Sequence, residues 1–360
     1  MTQPRMTQKI IQVVTQMEAG GAQRVAFLLH QELRSRGLDA ELWFLFQKTP
    51  AYASEPGVKL LWPARPTVLQ LPSLMRALVA AMKQAHPAAV ITHTHYANLI
   101  ALPVARMCGV ATRLAVHHNA IETYPRIARL LESTWKRLGI YTQSIAVSED
   151  VKASLIRWNT AAYQHSTRCI YNGLSTGEAQ TPGTDGLLAE LPGKDILFNV
   201  GRLTVQKNQQ AIIRVLAEMP DCVAVIAGRG PLEEELQREA RQIGVDDRLH
   251  LLGEVTPEVV AQWMRRSDVF VFPSRFEAMP MALLEAMQAG MAIVASNIPA
   301  HREVAGDCAL LTDTSPAPFS AQIRSALLQC KTGNSLGKAA RQRSLSFTVQ
   351  AMADAYMEAL

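Results

Sequence analysis

The chain has 360 residues, of which 48% are apolar and 19% charged. That is enough for two α/β cores of roughly 150–200 residues, and it leaves no composition for a disordered, collagen-like or repeat-array protein. Five scattered cysteines without a CxxC pair argue against a disulfide framework or a zinc site, and the net charge of +5 is unevenly spread. Up to Asn172, Lys plus Arg exceed Asp plus Glu by ten; beyond it they fall short by five. A basic half suits an anionic surface or substrate as well as a merely solvated one. No apolar run reaches the roughly 18 residues of a membrane span. The polar start MTQPRMTQK lacks the apolar stretch of a secretory signal, so a cytoplasmic protein is expected.

Short β-branched runs alternate with amphipathic stretches along the whole chain, which predicts βα units around parallel sheets. In chain order the first strand is 9–15, closed by Gly20 and Gly21 before a helix over 22–36. Unpaired backbone amides at such a helix start attract anions, and glycine lets a ligand come close; a plain tight turn is the alternative. The GG spacing is not the G-x-G-x-x-G of a dinucleotide site. Strands at 40–46, 88–93, 111–117 and 143–147 follow, with a helix over 97–107. His93, His95, His117 and His118 fall at or just past strand ends, where a histidine can donate to a sugar hydroxyl or a phosphate. Segment 125–138 reads as a basic amphipathic helix. Arg126, Arg129, Lys136 and Arg137 lie within about 100° of its circumference, and Ile127, Leu131, Trp135 and Leu138 on the other side. It can lie on an anionic bilayer or pack on its own sheet with a solvated basic face.

A Gly, Pro, Ser and Thr-rich stretch at 173–194 reads as a connector, and the βα pattern then resumes with strands at 195–200, 222–227, 248–252, 269–272 and 292–295. The first of these ends in Gly201-Arg202 with Lys207 five residues on, a fork of donors and a point charge where α/β sheets bind ligands. The second ends in Gly228-Arg229-Gly230-Pro231, again at a helix start. After 269–272, Glu277 precedes a helix and Glu285 lies inside it. The amides around Met279, Pro280, Met281 and Ala282 can take phosphate oxygens, and the two carboxylates can accept from sugar hydroxyls. Residues 334–360 are helical in pattern, and the terminal helix is a candidate to return to the first domain.

Gly201-Arg202 with Lys207, Gly228 to Pro231, and Glu277-x7-Glu285 followed by AMQAG resemble the donor-site motifs of the family 4 retaining glycosyltransferases. Gly20-Gly21, THTH (92–95), HHN (117–119), VSEDV (147–151) and YNGLS (171–175) come in that family's order. The resemblance implies the GT-B fold, two Rossmann-like doubly wound parallel-sheet domains facing a cleft. It implies an acceptor-binding domain at 1–172, a nucleotide-sugar-binding domain at 195–345, and a helix at 346–360 crossing back. It further implies that Arg202 and Lys207 bind the donor diphosphate, Glu285 the ribose, Glu277 the transferred sugar, and that Gly20 and Gly21 approach phosphate or acceptor. His117 or His118 would stand near the donor sugar and His95 on the acceptor side. Two positions depart from the pattern: Ala278 where the family usually has glycine, and Ala292 where it often has proline.

The implied reaction moves a sugar from a UDP- or GDP-sugar to a glycan or lipid-linked acceptor, in cell-surface polysaccharide or lipopolysaccharide synthesis. No metal or other cofactor is expected, because the chain has no D-x-D and no carboxylate at metal-ligand spacing from the histidines. A transferase on a small soluble acceptor, a sugar-nucleotide epimerase and a non-catalytic sugar-nucleotide-binding protein are the alternatives. A nucleic-acid partner is not expected, since aromatics are 6% and do not interleave with the cations.

Overall fold

The computed structural model of the protein describes residues 9–175, 191 and 193–360. Of the connector expected at 173–194, residues 176–190 and 192 lie outside the described residues. The chain divides into two units: the described residues up to Ser175 together with Thr348–Leu360, and those between.

In the first unit the elements are β1 (Ile10–Met17), α1 (Gly21–Ser35), β2 (Ala40–Gln47), β3 (Val58–Leu60), α2 (Leu71–Ala85), β4 (Ala89–His93) and α3 (His95–Met107). They continue as β5 (Thr112–His117), α4 (Arg126–Arg137), β6 (Gln143–Ala146), α5 (Glu149–Trp158), α6 (Thr160–Tyr163) and β7 (Thr167–Cys169). The strands form one parallel sheet in the order β3-β2-β1-β4-β5-β6-β7. Helices cover a parallel sheet on both faces, so its central strands are largely buried, as IIQVVTQM of β1 is at every position but the half-buried Gln16. Ser148 starts α5 by accepting from the Val151 amide, with Glu149 and Asp150 in the positively polarised first turn.

The second unit runs β8 (Asp195–Val200), α7 (Gln210–Glu218), β9 (Cys222–Ala227), α8 (Glu233–Gln242), β10 (Leu249–Gly253), α9 (Pro257–Arg266) and β11 (Val269–Phe272). Then come α10 (Met281–Gln288), β12 (Ala292–Ser296), α11 (Pro299–Ala305), β13 (Leu310–Thr312), α12 (Pro316–Lys331) and α13 (Ser335–Ser344). Its parallel sheet has the order β10-β9-β8-β11-β12-β13. Ile212, Ile213, Val215 and Leu216 of α7 and Phe319 and Ile323 of α12 share a core with the sheet. Each fully buried aliphatic side chain there contributes about 1.5–3 kcal/mol.

The helical pattern predicted over 334–360 resolves into two helices, because Thr348 breaks it and caps α14 (Val349–Ala359) through its hydroxyl. Helix α14 packs on α1, where Arg36 bonds both Glu32 and Asp354, and the chain returns to the first unit beside Leu174. Gly173 is obligatory at that crossing, since a Cβ would lie 2.2 Å from the Thr348 carbonyl oxygen. Three strands escaped prediction, β3, β7 and β13, each too short at three residues to show a period.

Both sheets reverse their strand order once, between β1 and β4 in the first and between β8 and β11 in the second. Such a switch point splays the flanking loops and is where open α/β sheets bind ligands.

Candidate active site

At the second unit's switch point, the loops after β8 and β11 are stitched together. The Arg275 amide donates to the Gln206 carbonyl at 2.8 Å, Gln206 Nε2 to the Phe276 carbonyl at 2.9 Å, and Asn208 Nδ2 to the Pro273 carbonyl at 3.1 Å. Asn208 does this at φ 54°, in the left-handed region that asparagine tolerates better than most residues. The result is a contact between Lys207 Nζ and Glu277 Oε1 at 2.5 Å, with side chains only 17% and 8% exposed. Lys207 also lies over the Phe272 ring, 5.1 Å from its centre. Two groups that the sequence assigned to phosphate and sugar thus balance one another directly. Arg202 is exposed, on the same loop as Lys207.

Gly228 and Gly230 bring the loop after β9 against the loop after β8. A Cβ on Gly228 would fall 2.1 Å from the Gly201 carbonyl oxygen, and one on Gly230 2.2 Å from that of Leu203. Close backbone packing therefore accounts for Gly230 without any ligand. After Glu277 the chain passes buried Met279 and Pro280 and enters α10 at Met281, whose first turn has no side-chain cap. Ala282 and Glu285 are half-buried on that helix. The non-glycine residues at positive φ among those described are His86, Thr94, Asn208 and Asn334. Ala278 therefore carries no left-handed strain where a glycine was expected. His301 was missed: its Nδ1 lies 2.8 Å from the Ser296 carbonyl oxygen, its ring 5.1 Å from that of Phe272, and it feels the charges of Glu277 and Lys207. A lone histidine inside a helix gives no signal of this in sequence.

In the first unit, Gly20 and Gly21 open α1 without a side-chain cap, and nothing stands within 4 Å of where a Gly21 Cβ would be. That leaves the helix start approachable by an anion or a sugar.

The four histidines separate into two pairs. His93 pairs in register with Val14 on β1 and Val116 on β5, so His93 and His118 share one sheet face while His117 takes the other. His93 Nδ1 lies 3.0 Å from His118 Nε2. His117 is wholly buried near Tyr124 and Tyr163, and neither of its ring nitrogens has a hydrogen-bond partner among the described residues. His95 stacks on Tyr124 at 4.7 Å and so belongs with His117, not with His93. Thr94 causes this: at φ 80° and ψ 143° it breaks the alternation between His93 and His95, a costly conformation for a β-branched residue, and its hydroxyl meets that of Thr15 at 2.6 Å. Burial pushes His117 down to about 3 and His118 to about 4, so both rings are neutral near pH 7.

Helix α4 does not pack on its own sheet through its aliphatic row, so of the two arrangements its sequence allowed, the packed one with a solvated basic face is overturned. Ala128, Glu132, Ser133 and Lys136 face inward, while Ile127 (73%), Leu130 (61%), Leu131 (38%) and Leu138 (56%) are exposed. Two polar anchors explain the inward face. Glu132 accepts from Tyr141 Oη at 2.8 Å and from Asn98 Nδ2 at 3.4 Å, and burial raises its carboxyl to about 8. Lys136 reaches the Ser166 carbonyl at 3.5 Å. Helix α3 packs between α2 and α4. Together the three carry Arg76, Lys83, Arg106, Arg126, Arg129, Lys136 and Arg137 against one acid, the buried Glu132.

Among the described residues no group of three His, Cys, Asp or Glu side chains gathers closely enough to hold a metal ion, and no helix is long and apolar enough to cross a membrane.

Comparison with known proteins places matches on both units. Residues 19–178 match the model described as Glycosyltransferase Family 4, and residues 188–343 that described as Glycosyl transferases group 1. The phosphatidyl-myo-inositol mannosyltransferase of Mycolicibacterium smegmatis is 34% identical over 170 residues, 45% of this chain and 42% of that protein. The lipopolysaccharide core biosynthesis mannosyltransferase LpsB of Rhizobium meliloti is 33% identical over 159 residues, 40% of this chain and 45% of that one. The aligned stretch thus spans less than half of either relative. The crystal structure of Anabaena HepE in complex with UDP and glucose superposes with a TM-score of 0.85 at 18% identity, covering 98% of both chains, a likeness of fold.

Proposed function

The chain belongs to the family 4, group 1 glycosyltransferases, and from that premise we propose that it transfers a sugar from a nucleoside diphosphate sugar to a glycan or lipid-linked acceptor, with retention of anomeric configuration. The observation that carries the reading is the Lys207–Glu277 contact at the second unit's switch point, beside the exposed Arg202 and ahead of the uncapped α10. Lys207 and Arg202 would hold the diphosphate, the α10 amides would add donors to it, Glu285 would accept from the ribose and Glu277 from the sugar. An arriving diphosphate takes over part of the lysine and frees the carboxylate for hydroxyls. The acceptor hydroxyl attacks the anomeric carbon on the face from which the phosphate leaves; the carbon–phosphate-oxygen bond breaks, and a departing phosphate oxygen takes the acceptor's proton. No metal is called for, because two cations and helix amides balance the leaving charge. His118, half-buried and neutral, is the histidine of the HHN element that meets the sugar.

Relatives named for lipopolysaccharide core and phosphatidylinositol mannosylation support a lipid-linked or glycan acceptor and a place in cell-surface polysaccharide or lipopolysaccharide synthesis, at the cytosolic face of a membrane. The α2–α4 layer supplies the means of attachment: an exposed aliphatic row flanked by cations, with no exposed acid to repel lipid phosphate. Wild-type protein should co-sediment with phosphatidylglycerol vesicles and not with phosphatidylcholine ones, and the double variant Leu130→Glu, Leu131→Glu should stay in solution. Vesicle binding by that variant would remove α4 from the attachment, and self-association through the row, read by light scattering, would replace the bilayer with a second copy.

The donor is tested by thermal melting against UDP, GDP, ADP, UDP-sugars, GDP-sugars and NAD(P), since a ligand of the native state raises the midpoint. A rise with one nucleotide family, unchanged by chelator, is expected. A rise with NAD(P) alone overturns the reading.

A further inference from the structure

Gln12, His93 and His118 stand on three adjacent strands, β1, β4 and the end of β5, in one row on one sheet face. Gln12 and His93 are wholly buried. His93 Nε2 lies 2.9 Å from Gln12 Oε1, and His93 Nδ1 lies 3.0 Å from His118 Nε2, with the two rings 5.3 Å apart and tilted by 33°. A neutral imidazole carries one N–H and one bare nitrogen, so each contact in the row dictates the next. An amide oxygen only accepts; His93 must therefore carry its proton on Nε2 and is bare at Nδ1. His118 must then donate through Nε2, which leaves its own Nδ1 bare.

We propose that Gln12 and His93 are positioning residues that lock His118 as the Nε2–H tautomer and present its Nδ1 lone pair as a hydrogen-bond acceptor for a hydroxyl of the bound sugar. The row acts through His118 and touches no substrate itself. It departs from the expectation that this histidine donates to a hydroxyl or a phosphate: the proton is committed inward, and a neutral ring offers a phosphate no charge. Thr94, strained at φ 80°, follows β4 directly after His93 and sends His95 to the opposite face. The sugar is the part that rests on the proposed transferase reading; the tautomer does not depend on it.

The test is therefore made first on the protein without donor. In 15N-histidine-labelled wild-type protein at pH 7.5, protonated and bare ring nitrogens resonate far apart. His118 should show Nε2 protonated and Nδ1 bare, His93 likewise, with a scalar coupling across the His118 Nε2–His93 Nδ1 hydrogen bond. The reverse pattern, both rings protonated at Nδ1, overturns the proposal, as does the absence of that coupling. His93→Phe and the milder Gln12→Met should each leave the amide spectrum folded and let the His118 tautomers mix; a fixed tautomer in both overturns it too. With the donor that thermal melting identifies, His93→Phe should lower kcat by about tenfold, the worth of one ordinary hydrogen bond, with KM little changed. Equal loss in a Phe substitution at Leu114, buried on the same strand as His117, would mark the effect as general packing. If no nucleotide shifts the melting point, the donor reading fails while the tautomer result stands.

Discussion

The two units place their candidate groups at the same point of the same topology and use opposite chemistry there. In the second unit an ammonium and a carboxylate touch at 2.5 Å, both mostly buried, so each charge is balanced locally. In the first unit the groups are imidazoles that burial keeps neutral, bonded to one another and to an amide, with no carboxylate in the row. A block of positive charge in the first unit lies apart from this row, on the α2–α4 layer. A diphosphate needs opposite charge, and charge can be kept under cover only with a partner. A hydroxyl needs a lone pair in the right direction, which a neutral ring supplies at no electrostatic cost.

That contrast can be broken by graded measurements. Lys207→Met should have the largest effect, lowering turnover by about 10²–10³-fold, since it removes a cation from developing phosphate charge. It also leaves Glu277 unpaired where only 8% of the side chain is exposed, costing about 2–3 kcal/mol, read as a lower unfolding midpoint. Glu285→Ala should follow, with a loss of about 10–100-fold as charge-assisted bonds to hydroxyls disappear and the fold is kept. His118→Ala should cost about tenfold, with no change in the salt dependence of donor binding. Equal losses for Lys207→Met and His118→Ala would dissolve the division between charged and neutral halves.

Acid should distinguish the units next. His117 and His118 have folded values near 3 and 4, below the unfolded 6.5, so between pH 6.5 and 4 the unfolded chain binds protons that the folded one refuses. Stability therefore falls as pH falls through that window. Hydrogen exchange should loosen first around β4 and β5; equal loosening around β8 and β11, near His301 with its depression to about 4, would count against the assignment. Glu132 trends the other way, since its folded value of about 8 exceeds its unfolded 4.5. Its burial penalty grows with pH from about 4.5 to about 8, so Glu132→Gln should raise the melting midpoint more at pH 8 than at pH 5. The opposite trend would mean that Glu132 is ionised beneath α4.

Sequence carried the two-sheet fold because parallel strands buried on both faces are continuous apolar runs, and strands such as 195–200, 222–227 and 269–272 appear with the ends predicted for them. It carried the candidate residues of the second unit for a related reason: they follow strand ends, and strand ends are visible. Which of two adjacent histidines turns outward was hidden at one level and readable at another. Val14, His93 and Val116 share a face through register alone, so strand pairing was the missing information, and register comes from contacts across the sheet.

Helix α4 marks the limit. Its periodic pattern announced an amphipathic helix but left open whether the aliphatic row packs on the sheet, and the tertiary structure leaves that row exposed. Aliphatic spacing defines a stripe but not what covers it, and Glu132 with two hydrogen-bond partners and a Lys136 reaching a carbonyl settled the inward face instead. The Lys207–Glu277 contact and the Gln12–His93–His118 row are of the same kind, the first joining residues 70 positions apart and the second residues 81 and 25 apart. Local periodicity determined which elements exist and where they end, because propensity and burial act over a few residues. Only strand order and register decided which polar groups meet, because hydrogen bonds and ion pairs are satisfied in space and not along the chain.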